Sequence, residues 1–245
     1  MARATQVSGN RLLALLPDWD RARILQKLEP RSLEARTVLF EPGEAVDTVY
    51  FPLDGVVSLV TVLEHGGPVE VATVGNEGIV GVPAALGGSL AVRAISQVPG
   101  RYLNMSMGAF FEELAVNQAL ARLVQFYVQA LFGQISQAVA CNRLHSTEER
   151  LSRWLLMTQD RVGGEQFSIT QEFVGQMLGV GRATAALAAD ALERAGLVSC
   201  RPGHIEIASR HGLEQVACEC YRVFRSERDA IAGGRIGGWQ PDFIG

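Results

Sequence analysis

Residues 169–207 read ITQEFVGQMLGVGRATAALAADALERAGLVSCRPGHIEI, and the C-terminal half takes its character from this stretch. Ser168 or Thr170 offers a hydroxyl cap to a helix from Gln171 to Leu178, because a side-chain oxygen there satisfies amides that lack an intrahelical partner. Gly179 accommodates a sharp turn, and a second helix runs from about Gly181 to Ala195 until Gly196 ends it. Leu197-Val198-Ser199, a Pro202-Gly203 turn and Ile205-Glu206-Ile207 then form a two-stranded ribbon. Helix, tight turn, helix and ribbon make a winged helix-turn-helix.

The apolar pattern gives this unit a core. Phe173, Val174, Met177, Leu178 and Val180 are expected to pack on Ala185, Leu187, Ala188 and Leu192. That leaves the N-terminal half of the second helix to solvent, and in such motifs this end enters the DNA major groove. Arg182 then reaches guanine O6 and N7, and Thr184 a phosphate or base edge. The first helix crosses the backbone with its N-terminal amides near a phosphate. The expected DNA-binding set is Thr170, Gln171, Gly181, Arg182, Ala183 and Thr184.

Upstream, Ser146-Thr147-Glu148-Glu149 is a capping signature for a helix carrying Leu151, Trp154 and Leu155, which Gly163-Gly164 ends. Before it lies a long helix in which Leu120, Val124, Tyr127, Leu131, Gln134 and Ala138 form a stripe at steps of three and four. This stripe is expected to pair with its copy in a second subunit. Further upstream come short runs rich in β-branched residues, at Thr37–Phe40, Thr48–Phe51, Val56–Leu63, Val69–Val74 and Val92–Val98, separated by Pro and Gly turns. Leu12, Leu15, Leu16, Ile24, Leu25 and Leu28 mark leading helices.

The fold class is therefore α+β: an N-terminal jelly-roll-like β-roll, a long dimerisation helix and a C-terminal winged helix-turn-helix. The expected domains are a sensor over 1–115, the dimerisation helix over 116–145, the DNA-binding domain over 146–225 and a flexible tail over 226–245. No charge-free stretch is apolar enough for a membrane span, and Met1–Asn10 lacks the apolar region of a signal peptide. Four cysteines at uneven spacing do not make a secreted disulfide scaffold, so the cytoplasm is the expected location. The 245-residue chain has a net charge of −4, and Ser146 to Arg225 carries nine Arg against ten Asp and Glu. A DNA-binding domain is more often basic, so binding here requires Arg clustered on one face.

The segment from Ile169 to Thr184 resembles the helix-turn-helix of the Crp/Fnr family of transcription regulators, as do Thr147–Leu156 and Leu192–Val198 around it. Pro42-Gly43-Glu44, Val49–Gly55 and Gly75-Asn76-Glu77-Gly78-Ile79-Val80-Gly81 resemble that family's cyclic-nucleotide-binding β-roll. The resemblance implies a homodimer that binds DNA and works with RNA polymerase. Two departures stand out. Members that bind a cyclic nucleotide carry Glu after the last of these glycines and Arg-Ser or Arg-Thr about ten residues on, where this chain has Val82 and Leu90-Ala91. The pocket near Gly81, Val82, Leu90 and Ala91 is therefore degenerate, the sensor ligand is unknown, and cyclic AMP is not expected to bind. In the recognition helix the family's Arg-Glu and later Arg are replaced by Arg182-Ala183 and Leu187.

No P-loop, nucleophile elbow or paired His-Glu zinc motif is present, so no catalytic residues and no cofactor are expected. The family's oxygen sensors hold an iron-sulfur cluster through N-terminal cysteines, and this chain has none before Cys141. Cys218 and Cys220, with His211 ahead of them, have no second ligand pair close by in sequence, so they are expected to be core or surface thiols rather than a metal site. The alternative function is a ligand-binding or protein-interaction module that has lost sequence-specific DNA binding.

Overall fold

A computed structural model describes residues 9–64, 67–86 and 88–233. Seven strands build the N-terminal β-roll: β1 (Glu29–Leu33), β2 (Val38–Phe40), β3 (Thr48–Pro52), β4 (Val56–Thr61), β5 (Val69–Val74), β6 (Arg93–Val98) and β7 (Gly100–Ser106). They form two antiparallel sheets, ordered β1-β7-β3 and β2-β6-β4-β5. Strand alternation sends Val49, Phe51, Val57, Leu59, Leu103 and Met105 into one core between them. β1 reads EPRSL and is exposed at all but its last residue, so it shows no alternating pattern in sequence and joins the roll as an edge.

Leu12, Leu13 and Leu16, with helix α1 (Asp18–Lys27), add to this core. α1 is tied to helix α2 (Met107–Val116) by Arg23 and Lys27, which both reach the buried carboxylate of Glu113. Asn117 then caps helix α3 (Gln118–Leu144), accepting from the Leu120 amide at 2.9 Å. With 27 residues α3 is about 40 Å long.

The stripe expected to pair two subunits is buried within one. Leu120, Val124, Tyr127 and Leu131 belong to the β-roll core, and Ala138 is also buried. The sequence shows only that α3 has a wide apolar face; the β-roll takes the richer part of it. The face left open runs through Gln125, Gln129, Phe132, Ser136 and Val139, with Phe132 71% and Val139 67% exposed.

Helix α4 (Thr147–Val162) begins with the expected capping box, in which Ser146 and Glu149 exchange side-chain to backbone hydrogen bonds. It is apolar on several sides because it is covered on several sides: Leu151, Trp154, Leu155 and Leu156 are all fully buried. Around it lie strand β8 (Gln166–Phe167), helices α5 (Gln171–Leu178) and α6 (Arg182–Arg194), strands β9 (Val198–Arg201) and β10 (His204–Ile207), and helices α7 (Arg210–Val216) and α8 (Cys220–Ala232). The helix α8 continues into the segment expected as a tail; residues 234–245 lie outside the described residues.

The two halves share a buried seam. Val60 of β4 belongs to the C-terminal core. Gln97 of β6 donates to Thr158 of α4 at 2.8 Å. Arg161 of α4 pairs with Glu77 at 2.8 Å, with both side chains under a tenth exposed, and its aliphatic stem fills the space where a side chain at position 75 would stand, which requires Gly75 there. Burial alone would raise the Glu77 pKa; the charge and hydrogen bonds of Arg161 outweigh it and hold this carboxyl below its usual range.

Candidate nucleic-acid interface

The winged helix follows from local rules. The Thr170 hydroxyl accepts from the Phe173 amide at 3.2 Å and starts α5 at Gln171. Gly179 ends it at φ 64°, a left-handed conformation that suits glycine and turns the chain toward α6. Phe173, Val174, Met177 and Leu178 then meet Ala185, Ala188, Ala189 and Leu192, all buried in one cluster. Leu187 is the exception to the expected packing: it stands 65% exposed on the outer face of α6. The small residues on the inner face of α6 let the two helices approach without it.

The turn at the head of α6 is open. Gly181, Arg182, Ala183 and Thr184 are all exposed, and Gly181 is the N-cap residue, without a side-chain cap. Pro202 and Gly203 form the wing tip between β9 and β10, and β8 adds a third strand to the ribbon beside β10. Between α6, the head of α5 and the wing lies a groove of about 520 Å³ lined by Thr170, Gln171, Arg182, Arg201 and His204. Glu172, Asp190 and Glu193 line it too, so its charge is mixed.

The structure thus brings Thr170, Gln171 and Arg182 to one groove and sets Gly181, Ala183 and Thr184 at its α6 edge. Thr170 is already engaged: besides capping α5 it accepts from the guanidinium of Arg36 at 2.9 Å. Arg36 belongs to the β-roll, so that domain touches the helix-turn-helix at its first residue. No sequence pattern marks Arg36, and its positive φ of 67° is revealed only by the structure.

In the β-roll, Gly81 has φ 91° and is followed by Val82, fully buried in the core. Leu90 packs against the same core, and its carbonyl accepts from the Gly43 amide. Arg93 is paired with Glu41 at 2.8 Å. A different group falls at the end of α3, where Cys141 and His145 meet Cys218 and Cys220. Expecting only core or surface thiols overlooks this group, since the missing pair lies far away in the chain; the four-residue spacing of Cys141 and His145 on one helix is the available signal.

Two family models match the chain: a Crp-like helix-turn-helix domain over residues 149–216 and a cyclic nucleotide-binding domain over residues 30–117. No curated protein matches it. Among solved structures, FixK2 from Bradyrhizobium japonicum aligns with a TM-score of 0.65 at 16% identity, covering 78% of this chain and 98% of that one. The c-di-GMP responsive global regulator CLP of Xanthomonas campestris aligns at 0.64 and 14% identity, covering 79% and 100%. A CRP-family transcriptional regulator of Thermus thermophilus aligns at 0.64 and 17% identity, covering 76% and 96%. A sensor-type β-roll joined through a long helix to a winged helix-turn-helix is the build of a two-domain transcription regulator. The two models together take in more than half of the chain, which belongs to the Crp/Fnr family. No described helix is long and apolar enough to cross a membrane.

The contact between the β-roll and the winged-helix half contains a titratable group poised near neutral pH. Glu70 of β5 accepts from the Trp154 indole at 3.1 Å and from the Ser58 hydroxyl at 2.6 Å. Burial pushes its pKa up to about 7, against the pull of these hydrogen bonds and of Arg153. In the unfolded chain Glu70 ionises near its ordinary 4.5, whereas in the fold it keeps its proton to about 7. Between those values the folded state binds the extra proton, so its contribution to stability falls as pH rises and the loss is complete above the upper one. The Tm advantage of Glu70→Gln over the wild type should therefore grow from pH 4.5 to about 7 and then level off; thermal denaturation across that range checks it, and a difference that does not change with pH contradicts it.

Proposed function

We propose that the chain binds a two-fold DNA operator as a homodimer, reads bases with the head of α6, and is controlled through its β-roll by a signal other than cyclic AMP. The observation that carries this reading is the exposed turn Arg182-Ala183-Thr184 on a helix whose opposite face is locked into the core beside a wing. A guanidinium there has the reach and the fork geometry for guanine O6 and N7. Exposed Leu187 sits one turn further along and suits a thymine methyl. Because Glu172, Asp190 and Glu193 border the same groove, non-specific attraction is weak, and discrimination falls to these short-range contacts.

Two recognition helices one DNA turn apart require a dimer. The open face of α3 supplies two apolar positions for a seam, Phe132 and Val139, one heptad apart. Light scattering should give a dimer mass for the wild type and a monomer mass for Phe132→Asp with its fold intact, whereas a monomeric wild type at micromolar concentration contradicts the seam. A charge at Leu131 would break the subunit core rather than the dimer.

For the sensor, Val82 and Leu90-Ala91 offer neither a carboxylate for a ribose hydroxyl nor a guanidinium for a cyclic phosphate. Calorimetric titration with cyclic AMP should show no binding at physiological concentration; micromolar affinity overturns this part.

Base reading by Arg182 is tested on one operator and one scrambled duplex across a salt series. Arg182→Ala should cost about 1–3 kcal/mol on the operator and little on the scrambled duplex. Equal losses on both, with a salt slope lower by roughly 0.9 per phosphate contact removed, would reduce Arg182 to a phosphate contact. A wild type without preference or salt dependence would leave the winged helix as a protein-contact module.

A further inference from the structure

We infer that Cys141, His145, Cys218 and Cys220 form a mononuclear zinc site that staples the end of α3 to the start of α8. The four donor atoms all lie within 4.8 Å of one another. The Cys141 and Cys218 sulfurs are 3.5 Å apart, and the Cys220 sulfur lies 3.6 Å from His145 Nδ1. With Zn–S near 2.3 Å and Zn–N near 2.0 Å, a tetrahedral ion separates its ligands by roughly 3.5–3.8 Å, so small adjustments complete the shell. Iron-sulfur clusters spread their thiolates over several metal atoms, and donors this close suit a single ion.

The arrangement is assembled from two pairs. Cys141 lies in the last turn of α3, whose C-cap is His145, and successive turns place them on one side. Cys218 and Cys220 lead into α8, which packs on α3 and α4. The three thiols are buried and His145 is half-buried. Gln137 donates to the Cys220 sulfur at 3.0 Å, a hydrogen bond that would hold a ligating thiolate in place.

An independent observation comes from the charges around the site. Arg150 and Arg153 of α4 are only 7% and 6% exposed, and each leaves its Nε without a hydrogen-bond partner. Arg150 donates to the Leu178 carbonyl, and Arg153 contacts the Met157 sulfur and lies over the Phe224 ring. Neither forms an ion pair with a carboxylate among the described residues, yet both lie within electrostatic reach of Cys141 and Cys218. Buried guanidinium groups without a direct ion-pair partner are costly. Zinc with three thiolates and a neutral imidazole carries one net negative charge, and its formation releases three thiol protons to water. Glu70 lies within electrostatic reach of Arg153, and that centre adds one negative charge beside the two guanidinium groups, which three neutral thiols do not.

The site lies at the junction where the long helix passes to the DNA-binding half, so occupancy would hold α8 and α3 together there. Its test does not involve DNA and is separate from the reading of the winged helix. Full-length protein purified without chelator should contain one zinc per chain by plasma mass spectrometry, and Cys220→Ala and His145→Ala should fall to background. Cobalt(II) added to the demetallated chain should give the visible bands of a tetrahedral cobalt thiolate. His145→Cys should retain metal and shift those bands, which separates loss of a ligand from loss of the fold. Zinc at the same trace level in wild type and variants, iron in its place, or a Cys141–Cys218 disulfide without metal would each overturn the assignment.

Discussion

The contact of α4 with the β-roll is the constraint on which the rest of the structure depends. Arg161 cannot sit under a tenth exposed without Glu77 to answer its charge, and Glu77 cannot remain ionised there without Arg161. Removing either partner would leave a buried charge unanswered, at a cost of about 3–5 kcal/mol. The same helix carries Trp154 to Glu70 and Thr158 to Gln97, so one face of α4 is fixed to β4, β5 and β6 while the others form the floor of the winged helix. The position of α6 in space is thereby referred back to the β-roll through α4.

This arrangement gives a physical route between the two halves. A displacement of β5 would move Glu70 and Thr73, and with them Trp154 and Arg161, before it reached the helix-turn-helix. A second, shorter link runs from Arg36 to Thr170 at the start of α5. The β-roll therefore grips the C-terminal half at its supporting helix and at its first turn, while the head of α6 remains free.

How much of this is legible in sequence depends on how local the cause is. α5 spans the expected Gln171 to Leu178 because its cap at Thr170 and its stop at Gly179 act within a few residues. The capping box at Ser146 is equally local. β1 is not legible, because EPRSL becomes a strand only by pairing with β7. The face of α3 escapes sequence reasoning for a similar reason: periodicity shows that Leu131 is apolar, but not whether the β-roll or a second subunit covers it. Leu187 fits the apolar rhythm of α6 and still faces solvent, since Ala188 and Ala189 fill the core in its place. The thiol and imidazole group at the end of α3 depends on two segments far apart in the chain, and only the tertiary fold places them together.

If the seam is what positions α6, then α4 and the β-roll open as one cooperative unit. Native-state hydrogen exchange of the full chain measures this directly, residue by residue. Amides of Leu151 to Met157 in α4 and of Val57 to Val60 in β4 should then exchange with the same opening free energy and the same dependence on denaturant. An α4 that opens at distinctly lower free energy, while β4 stays protected, would show that the winged helix is an independent body and that the seam does not set its position.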